Sequence, residues 1–92
     1  AVKDLVDVAG IPTTGGSVVL KDNVPARDAF VTRRLAPAGT VLLGKTHPVE
    51  FAFRGGGLNH HYATPWHPWA SAPHRIPGGP TAASPAARSA RI

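Results

Sequence analysis

The feature that most constrains the fold is the order of predicted elements in the first half of the chain, which is strand, loop, helix, strand. Ala1–Asp7 predicts the first strand, and it ends at a turn over Ala9–Gly10. Residues 11–16 form a loop, because one proline and two glycines interrupt any regular pattern there. Val18–Val24 stays ambiguous, since its Lys-Asp-Asn sequence breaks any strand.

A helix and a second strand complete this order. Pro25 suits the first turn of a helix over Ala26–Ala36, and Pro37 and Gly39 end that helix. The short apolar run Thr40–Gly44 predicts a buried parallel strand. Parallel strands joined through a helix make a βαβ unit, so the sequence predicts an α/β fold.

Regular structure fades in the second half of the chain. Val49–Phe53 has room for one or two helical turns. Residues 55–79 are rich in glycine and proline and show no period, which predicts a long loop. Residues 81–92 are rich in alanine and predict a helix with Thr81 or Ser84 as its N-cap.

Charge and composition narrow the classes of function. The net charge is +5, and residues 51–92 contain four arginines but no acid. These arginines are not adjacent, so nucleic-acid binding is not favoured. No apolar run approaches the ~20 residues of a membrane span, and no signal-peptide layout is visible, so we expect no membrane partner and a cytoplasmic location. The chain has no cysteine, and no acid follows Glu50 in the stretch that holds the histidines of residues 60–74, so we expect no metal.

Lys3 is the residue that points to chemistry. It leaves an otherwise apolar strand, where a buried ammonium is costly. A lysine that can be neutral acts as a general base and can activate a serine hydroxyl. The alternative is a solvated lysine at a strand end, which is the commoner situation for a lone lysine.

The residues around Lys3 resemble the amidase signature family, the serine hydrolases that use a Ser-Ser-Lys triad. The spacing K-D-x5-G-x2-T-T-x-G-S starts at Lys3. The stretch D-A-F-V-T-R-R-L-A-P-A-G from Asp28, and G-K-T followed by E-F ending at Phe51, are also similar to the family pattern. The resemblance implies that Lys3 is the catalytic base, and that the chain is a fragment of the family's α/β/α domain with its mixed β-sheet.

The family's segment G-G-S-S-G-G-S-A is similar to the residues that begin at Gly78, with one chemical departure. Gly78 and Gly79 match its two glycines, which implies a place in the substrate-binding loop. Pro80 falls where the family has the serine that bridges lysine and nucleophile and follows a cis peptide bond. Proline suits a cis Gly79–Pro80 bond but has no hydroxyl. Thr81 has a hydroxyl one position along, and Ser84 matches a structural serine.

The reaction that the resemblance implies is hydrolysis of a carboxamide C–N bond without metal or other cofactor, through serine attack, an acyl-enzyme and water. The family's nucleophile lies beyond residue 92, so we expect residues 1–92 to be a partial amidase domain. That partial domain lacks its start and its nucleophile, and we expect it to be inactive alone. The implied partners are a small-molecule amide substrate and the remainder of the domain.

Two alternatives stay open at this point. The family includes the glutamine-hydrolysing subunit of the glutamyl-tRNA amidotransferase, which releases ammonia from glutamine for amidation of mischarged transfer RNA, and this segment does not separate it from other amidases. From a different class, the chain could be a non-catalytic remnant or a basic binding segment. Salt-dependent retention on nucleic acid would favour the binding segment.

Overall fold

A computed structural model of the 92-residue chain describes residues 1–70, 72–79 and 82–89. Within these residues the regular elements, in chain order, are β1 (Val2–Lys3), α1 (Phe30–Leu35), β2 (Lys45–Thr46) and α2 (Ala83–Ser89). Short 3-10 turns occupy Val18–Leu20, Ala36–Ala38 and Glu50–Ala52.

β1 and β2 form a two-stranded parallel sheet. Val2 lies opposite Lys45, and Lys3 lies opposite Thr46. The amide of Val2 donates to the carbonyl of Gly44 at 3.1 Å, which extends the pairing by one residue. The crossover between the strands contains α1, so the βαβ order and the α/β class predicted from the sequence are confirmed.

The first strand is shorter than predicted. The chain turns directly after Lys3, where the amide of Val6 donates to the Lys3 carbonyl at 2.9 Å. Ala1–Asp7 therefore contributes only Val2–Lys3 to the sheet. The predicted turn at Ala9–Gly10 is confirmed, with Gly10 in the left-handed region at φ 76°.

The prediction of a buried strand over Thr40–Gly44 is wrong. The ladder starts only at Lys45, and Val41 and Leu43 are 79% and 76% exposed. Apolar runs of this kind are commonly buried, but nothing in the described part of the chain covers this one. A buried strand needs other chain packed on its faces. Within the described residues, Val41 and Leu43 have no such cover.

The predicted helix over Ala26–Ala36 starts later than Pro25 suggested. Asp28 is held outside the helix, because its Oδ1 accepts from the amide of Ala9 at 2.7 Å. Ala29 has extended dihedral angles and serves as the N-cap, so α1 begins at Phe30. Pro25 is therefore not part of its first turn.

Two further contacts fix α1 in place. The Thr32 hydroxyl donates to the carbonyl of Asp7 at 2.9 Å, and the Ala29 amide donates to the same carbonyl. The helical stretch ends at Gly39, which is left-handed at φ 80° and takes the cap position, as the sequence predicted.

The remaining local predictions have mixed outcomes. Ser17 caps the turn Val18–Leu20, since its hydroxyl accepts from the Val19 amide, and this gives the ambiguous Val18–Val24 stretch its first turn. Glu50–Ala52 is the single turn expected within Val49–Phe53.

The end of the chain is helical over Ala83–Ser89. Ser84 lies inside α2 rather than at its N-cap, so that assignment is wrong. Thr81, Pro80 and the Gly79–Pro80 bond lie outside the described residues. Residues 55–70 and 72–79 contain no helix and no ladder strand.

The buried interior is small and largely polar. Its apolar members include Val8 and Val49, and its polar members are Asp4, Thr13, Ser17, Thr46 and Asn59. Large apolar side chains lie outside it, with Phe53 86% exposed. So much exposed apolar surface is typical of a segment that packs against further chain.

Hydrogen exchange tests the strand correction. The amides of Val41–Leu43 donate no backbone hydrogen bond to the described residues, whereas the amide of Asp4 donates to the Thr46 carbonyl at 2.9 Å. In the isolated chain we expect Val41–Leu43 to exchange nearly as fast as unfolded peptide and the Asp4 amide to be protected. Protection of Val41–Leu43 equal to that of Asp4 would contradict this fold.

Candidate active site

The register of the two strands sorts their side chains onto two faces. In a parallel pair, residues in register point to the same side, and successive residues alternate. Lys3 and Thr46 therefore share one face, and Lys45 lies on the other. Asp4, the next residue after β1, contacts Lys45 and so belongs to that second face.

Lys3 occupies the first face with its amine open. The residue is half-buried, and its Nζ makes no hydrogen bond or ion pair with the described residues. Thr46 beside it is buried at 9% exposure, and its hydroxyl lies 3.4 Å from the Val2 carbonyl. The first face thus offers a lysine amine and a fixed hydroxyl at the end of a parallel strand pair.

α2 returns to this same place. The hydroxyl of Ser84 donates to the hydroxyl of Thr46 at 3.2 Å, across 38 residues of sequence. Ser84 lies in the helix that follows the glycine segment in sequence, so this contact places the start of α2 beside the strand that pairs with Lys3. Pro80 and Thr81, the two predicted site residues between them, lie outside the described residues.

Gly78 and Gly79 both adopt left-handed dihedral angles, with φ of 91° and 68°. Such values favour glycine, and they leave the backbone open to close approach by a ligand. Gly57 packs closely against the start of α2, because a Cβ at residue 57 would lie 2.7 Å from the Cβ of Ala82. Ala82 is 1% exposed, so the start of α2 sits directly on the glycine-rich loop.

The second face holds a buried ion pair that the sequence analysis missed. Nζ of Lys45 lies 2.6 Å from Oδ1 of Asp4, with the two side chains 8% and 11% exposed. That oxygen accepts no hydrogen bond of regular geometry within the described residues, so the contact is electrostatic. The other oxygen, Oδ2, accepts from the amide and the hydroxyl of Thr14.

The loop over residues 12–16 completes the coordination of this lysine. Lys45 donates to the Pro12 carbonyl at 2.9 Å and to the Thr13 hydroxyl at 2.6 Å. The hydroxyl-rich loop that follows Lys3 in sequence therefore serves the structural Lys45 rather than the catalytic candidate. A clue was present in the sequence, since Lys45 also follows an apolar run.

Asn59 is a second residue that sequence reasoning missed. Its Nδ2 donates to the carbonyls of Gly16 and Pro48, at 2.8 and 3.1 Å. Its Oδ1 accepts from the amides of His61 and Tyr62, at 2.8 and 2.9 Å. A single buried amide thus fastens the long loop to the strand pair. No local pattern marks it, because its partners come from distant segments or from its own turn.

A cavity of about 380 Å³ opens beyond the end of β2. It is lined mainly by Val49, Glu50, Phe51, Phe53, Leu58 and Asn59. Phe51 and Ala52 have positive φ values of 47° and 55°, which non-glycine residues adopt rarely and often at functional sites. The amide of Phe51 donates to the Gly15 carbonyl at 2.7 Å, which holds this strained turn against the loop.

Other kinds of site have no support within the described residues. No group of three or more His, Cys, Asp and Glu there is placed to hold a metal ion. No helix found among those residues has the length and apolar character that a membrane crossing requires.

A parallel strand pair that carries an open lysine amine, with α2 returning to the register partner of that lysine, defines a candidate lysine-dependent hydrolase site. The sequence model of the Amidase family matches residues 1–92, so the chain belongs to the amidase family and is a short segment of such a protein. The resemblance found in the sequence is thereby confirmed.

Individual relatives agree with this family. The chain is 44% identical to the A-type subunit of the glutamyl-tRNA(Gln) amidotransferase of Nitratidesulfovibrio vulgaris (strain DP4), over 97% of this chain and 18% of the relative. It is 45% identical to 2-amino-5-chloromuconic acid deaminase of Comamonas testosteroni, over 89% of this chain and 18% of that protein. The chain therefore spans less than a fifth of the length of these relatives.

A solved structure shares the fold of the segment. That structure is described as an unexpected vestigial protein complex that reveals the evolutionary origins of an s-triazine catabolic enzyme. The TM-score is 0.82 at 35% sequence identity, over 94% of this chain and 19% of that chain.

The two lysines provide a test of the two faces. Replacing Lys45 by methionine leaves Asp4 buried and unpaired, which we expect to cost about 3–5 kcal/mol. Lys3→Met keeps a similar side-chain volume and removes no described contact, so we expect a change below about 0.5 kcal/mol. Urea unfolding followed by far-UV circular dichroism measures both. Equal effects of the two substitutions would refute the assignment of the structural and the open lysine.

The support of the glycine segment by Gly57 is tested with Gly10 as a matched control. Both glycines have φ of 76°, but nothing lies within 4 Å of a Cβ built on Gly10. Alanine at either position carries the left-handed penalty of about 1–2 kcal/mol. Gly57→Ala adds the clash with Ala82, so we expect it to cost about 1–3 kcal/mol more than Gly10→Ala in urea unfolding. Adding Ala82→Gly should remove that excess, and an excess that persists would contradict the contact.

Proposed function

We propose that this chain forms the lysine-bearing part of an amidase site, the kind of site that in complete amidases hydrolyses carboxamide C–N bonds by a Ser-Ser-Lys mechanism. The observation that carries the proposal is the contact of Ser84 with Thr46, the register partner of Lys3. It brings the residues that follow Gly78–Gly79 back to the strand pair that holds the lysine. Membership of the amidase family supports the same reaction.

In this mechanism Lys3 acts as the general base. Its uncharged amine takes the proton of the attacking serine hydroxyl by way of a bridging hydroxyl. The serine oxygen bonds to the carboxamide carbon, the C–N bond breaks, and the leaving nitrogen takes the proton back. Water then releases the acid from the acyl-enzyme. The left-handed backbone of Gly78 and Gly79 gives their segment room to approach the substrate.

Pro80 interrupts this proton path. Proline has no hydroxyl, so at the bridging position it cannot pass a proton to Lys3. Thr81 carries a hydroxyl one residue along in sequence, and Thr81 lies outside the described residues. The chain as it stands is therefore proposed to be catalytically silent. This is also the observation that favours a non-catalytic remnant over an active enzyme.

The remainder of an amidase domain is the proposed partner of this segment. Val41, Leu43 and Phe53 are more than three-quarters exposed and supply the apolar surface that such a partner would cover. In the complete fold, β1 and β2 would be two strands of a mixed sheet within an α/β/α domain. The cavity beside Glu50 and Phe51 is the proposed position of the small amide substrate.

A second candidate is the glutamine-hydrolysing subunit of an amidotransferase. Two relatives named as subunits of the glutamyl-tRNA(Gln) amidotransferase, from Nitratidesulfovibrio vulgaris (strain DP4) and Salinispora tropica, are 44% and 46% identical to this chain. The deaminase relative is 45% identical, so identity does not rank the two. Glutamine and a set of unrelated carboxamides, offered to the same active protein, would separate them.

A chimera tests the proposal directly. This chain replaces the matching 18% of the Comamonas testosteroni deaminase, which supplies the rest of the domain. We expect no amide turnover from the chain alone or from the chimera that retains Pro80. Pro80→Ser in the chimera should raise turnover at least ~100-fold, because a general-base pathway contributes about 10²–10⁴-fold. Lys3→Met should then remove that gain.

Circular dichroism and elution as a single folded species serve as the control for each chimera. A chimera with Pro80 that turns over as fast as its Pro80→Ser variant would show that position 80 is not the bridge. Turnover in the Pro80→Ser chimera that survives Lys3→Met would overturn the role of Lys3.

A further inference from the structure

His47 lies on the second face of the strand pair, away from the open amine of Lys3. It follows Thr46 directly and therefore alternates to the side of Lys45. Its Nε2 is buried and has no hydrogen-bond partner within the described residues. A buried ring nitrogen without a partner is rare in folded proteins and asks for an explanation.

The imidazole packs against Tyr62. The two ring centroids are 5.0 Å apart at an interplanar angle of 72°, an edge-to-face contact. The Tyr62 amide is held by Asn59, and the Tyr62 hydroxyl lies 3.5 Å from the Ser17 carbonyl. Through this ring contact, His47 packs against the segment of residues 59–62 in the long loop.

The charged and titratable groups around His47 are few within the described residues. Asp4 is the charged group that acts on His47, and Lys45 and Thr14 already engage its carboxylate. The neighbouring turn contributes Glu50, which pairs with His61 at 3.3 Å. Burial lowers the pKa of His47, and the attraction of Asp4 opposes this more weakly. The closed arrangement therefore favours the neutral ring.

We propose that His47 is a pH-sensitive latch, whose neutral ring holds residues 59–62 against the strand pair and whose protonation releases them. A cation placed at the buried Nε2 loses its hydration and finds no acceptor among the described residues there. Opening the loop restores that hydration. Because Asn59 and His60 line the cavity beyond β2, release of this segment widens the proposed substrate cavity.

The direction of the effect follows from linkage. A histidine whose pKa is lower in the closed state than in the open state binds more protons when open. Closure is therefore favoured most strongly above the ordinary histidine pKa of about 6.5, and it weakens as pH falls below that value. Each pKa unit between the two states changes the closing equilibrium about tenfold.

Hydrogen exchange of this chain, read residue by residue, tests the latch. Between about pH 7.5 and about pH 5, and after correction for intrinsic exchange, we expect the His61 and Tyr62 amides to lose protection. The Asp4 amide should change much less. In His47→Gln the loss at His61 and Tyr62 should disappear.

His61→Gln is the matched control, because it removes a histidine of the segment itself together with its contact to Glu50. The pH-dependent loss at Tyr62 should persist in that variant. Persistence of the loss in His47→Gln would overturn the proposal. So would its disappearance in His61→Gln, or amides at His61 and Tyr62 that are unprotected at about pH 7.5.

Discussion

The buried ion pair between Asp4 and Lys45 joins the two ends of the βαβ crossover, and the loop over residues 12–16 is arranged around it. Two charges lose their hydration when they are buried, and attraction between them offsets this only if further polar groups complete the site. Pro12 and Thr13 do so for the lysine, and Thr14 does so for the carboxylate. The conformation of the loop is therefore set by the polar contacts that the two buried charges require.

This requirement explains why two lysines in adjacent strands have different roles. Alternation along each strand sends Lys3 and Lys45 to opposite faces. Lys45 has a carboxylate, a carbonyl and a hydroxyl around its amine, so it is fixed and electrically balanced. Lys3 has no partner among the described residues, so its amine stays available. The open amine of Lys3 on the first face is kept apart from the charges that hold the second face.

The sequence predicted the parts of this arrangement that depend on local patterns or on a family motif. The βαβ order, the turn at Gly10 and the helix end at Gly39 are local in origin, and all three are present. The family motif pointed to Lys3 and to Gly78–Gly79. The open amine of Lys3 and the return of α2 to its neighbour are compatible with that assignment.

What could not be predicted depends on partners far away in sequence. Asp4 and Lys45 are 41 positions apart, and the amide of Asn59 bonds to Gly16 across 43 positions. The predicted position of β2 was wrong for a related reason, because hydrophobicity does not say which part of a chain covers an apolar run. The exposure of residues 41–43 marks the surface that the segment offers to the rest of a domain.

The loss of the hydroxyl at Pro80 also has a structural side. The contacts that hold the glycine segment in place come from residues on either side of position 80. The Cβ of Ala82 packs against Gly57, and the hydroxyl of Ser84 donates a hydrogen bond to the hydroxyl of Thr46. These contacts need only small side chains and one hydroxyl at residue 84. None of these contacts involves position 80, so a folded segment is no evidence of a working proton path. The atoms that stabilise the segment differ from those of the proton path proposed for Lys3.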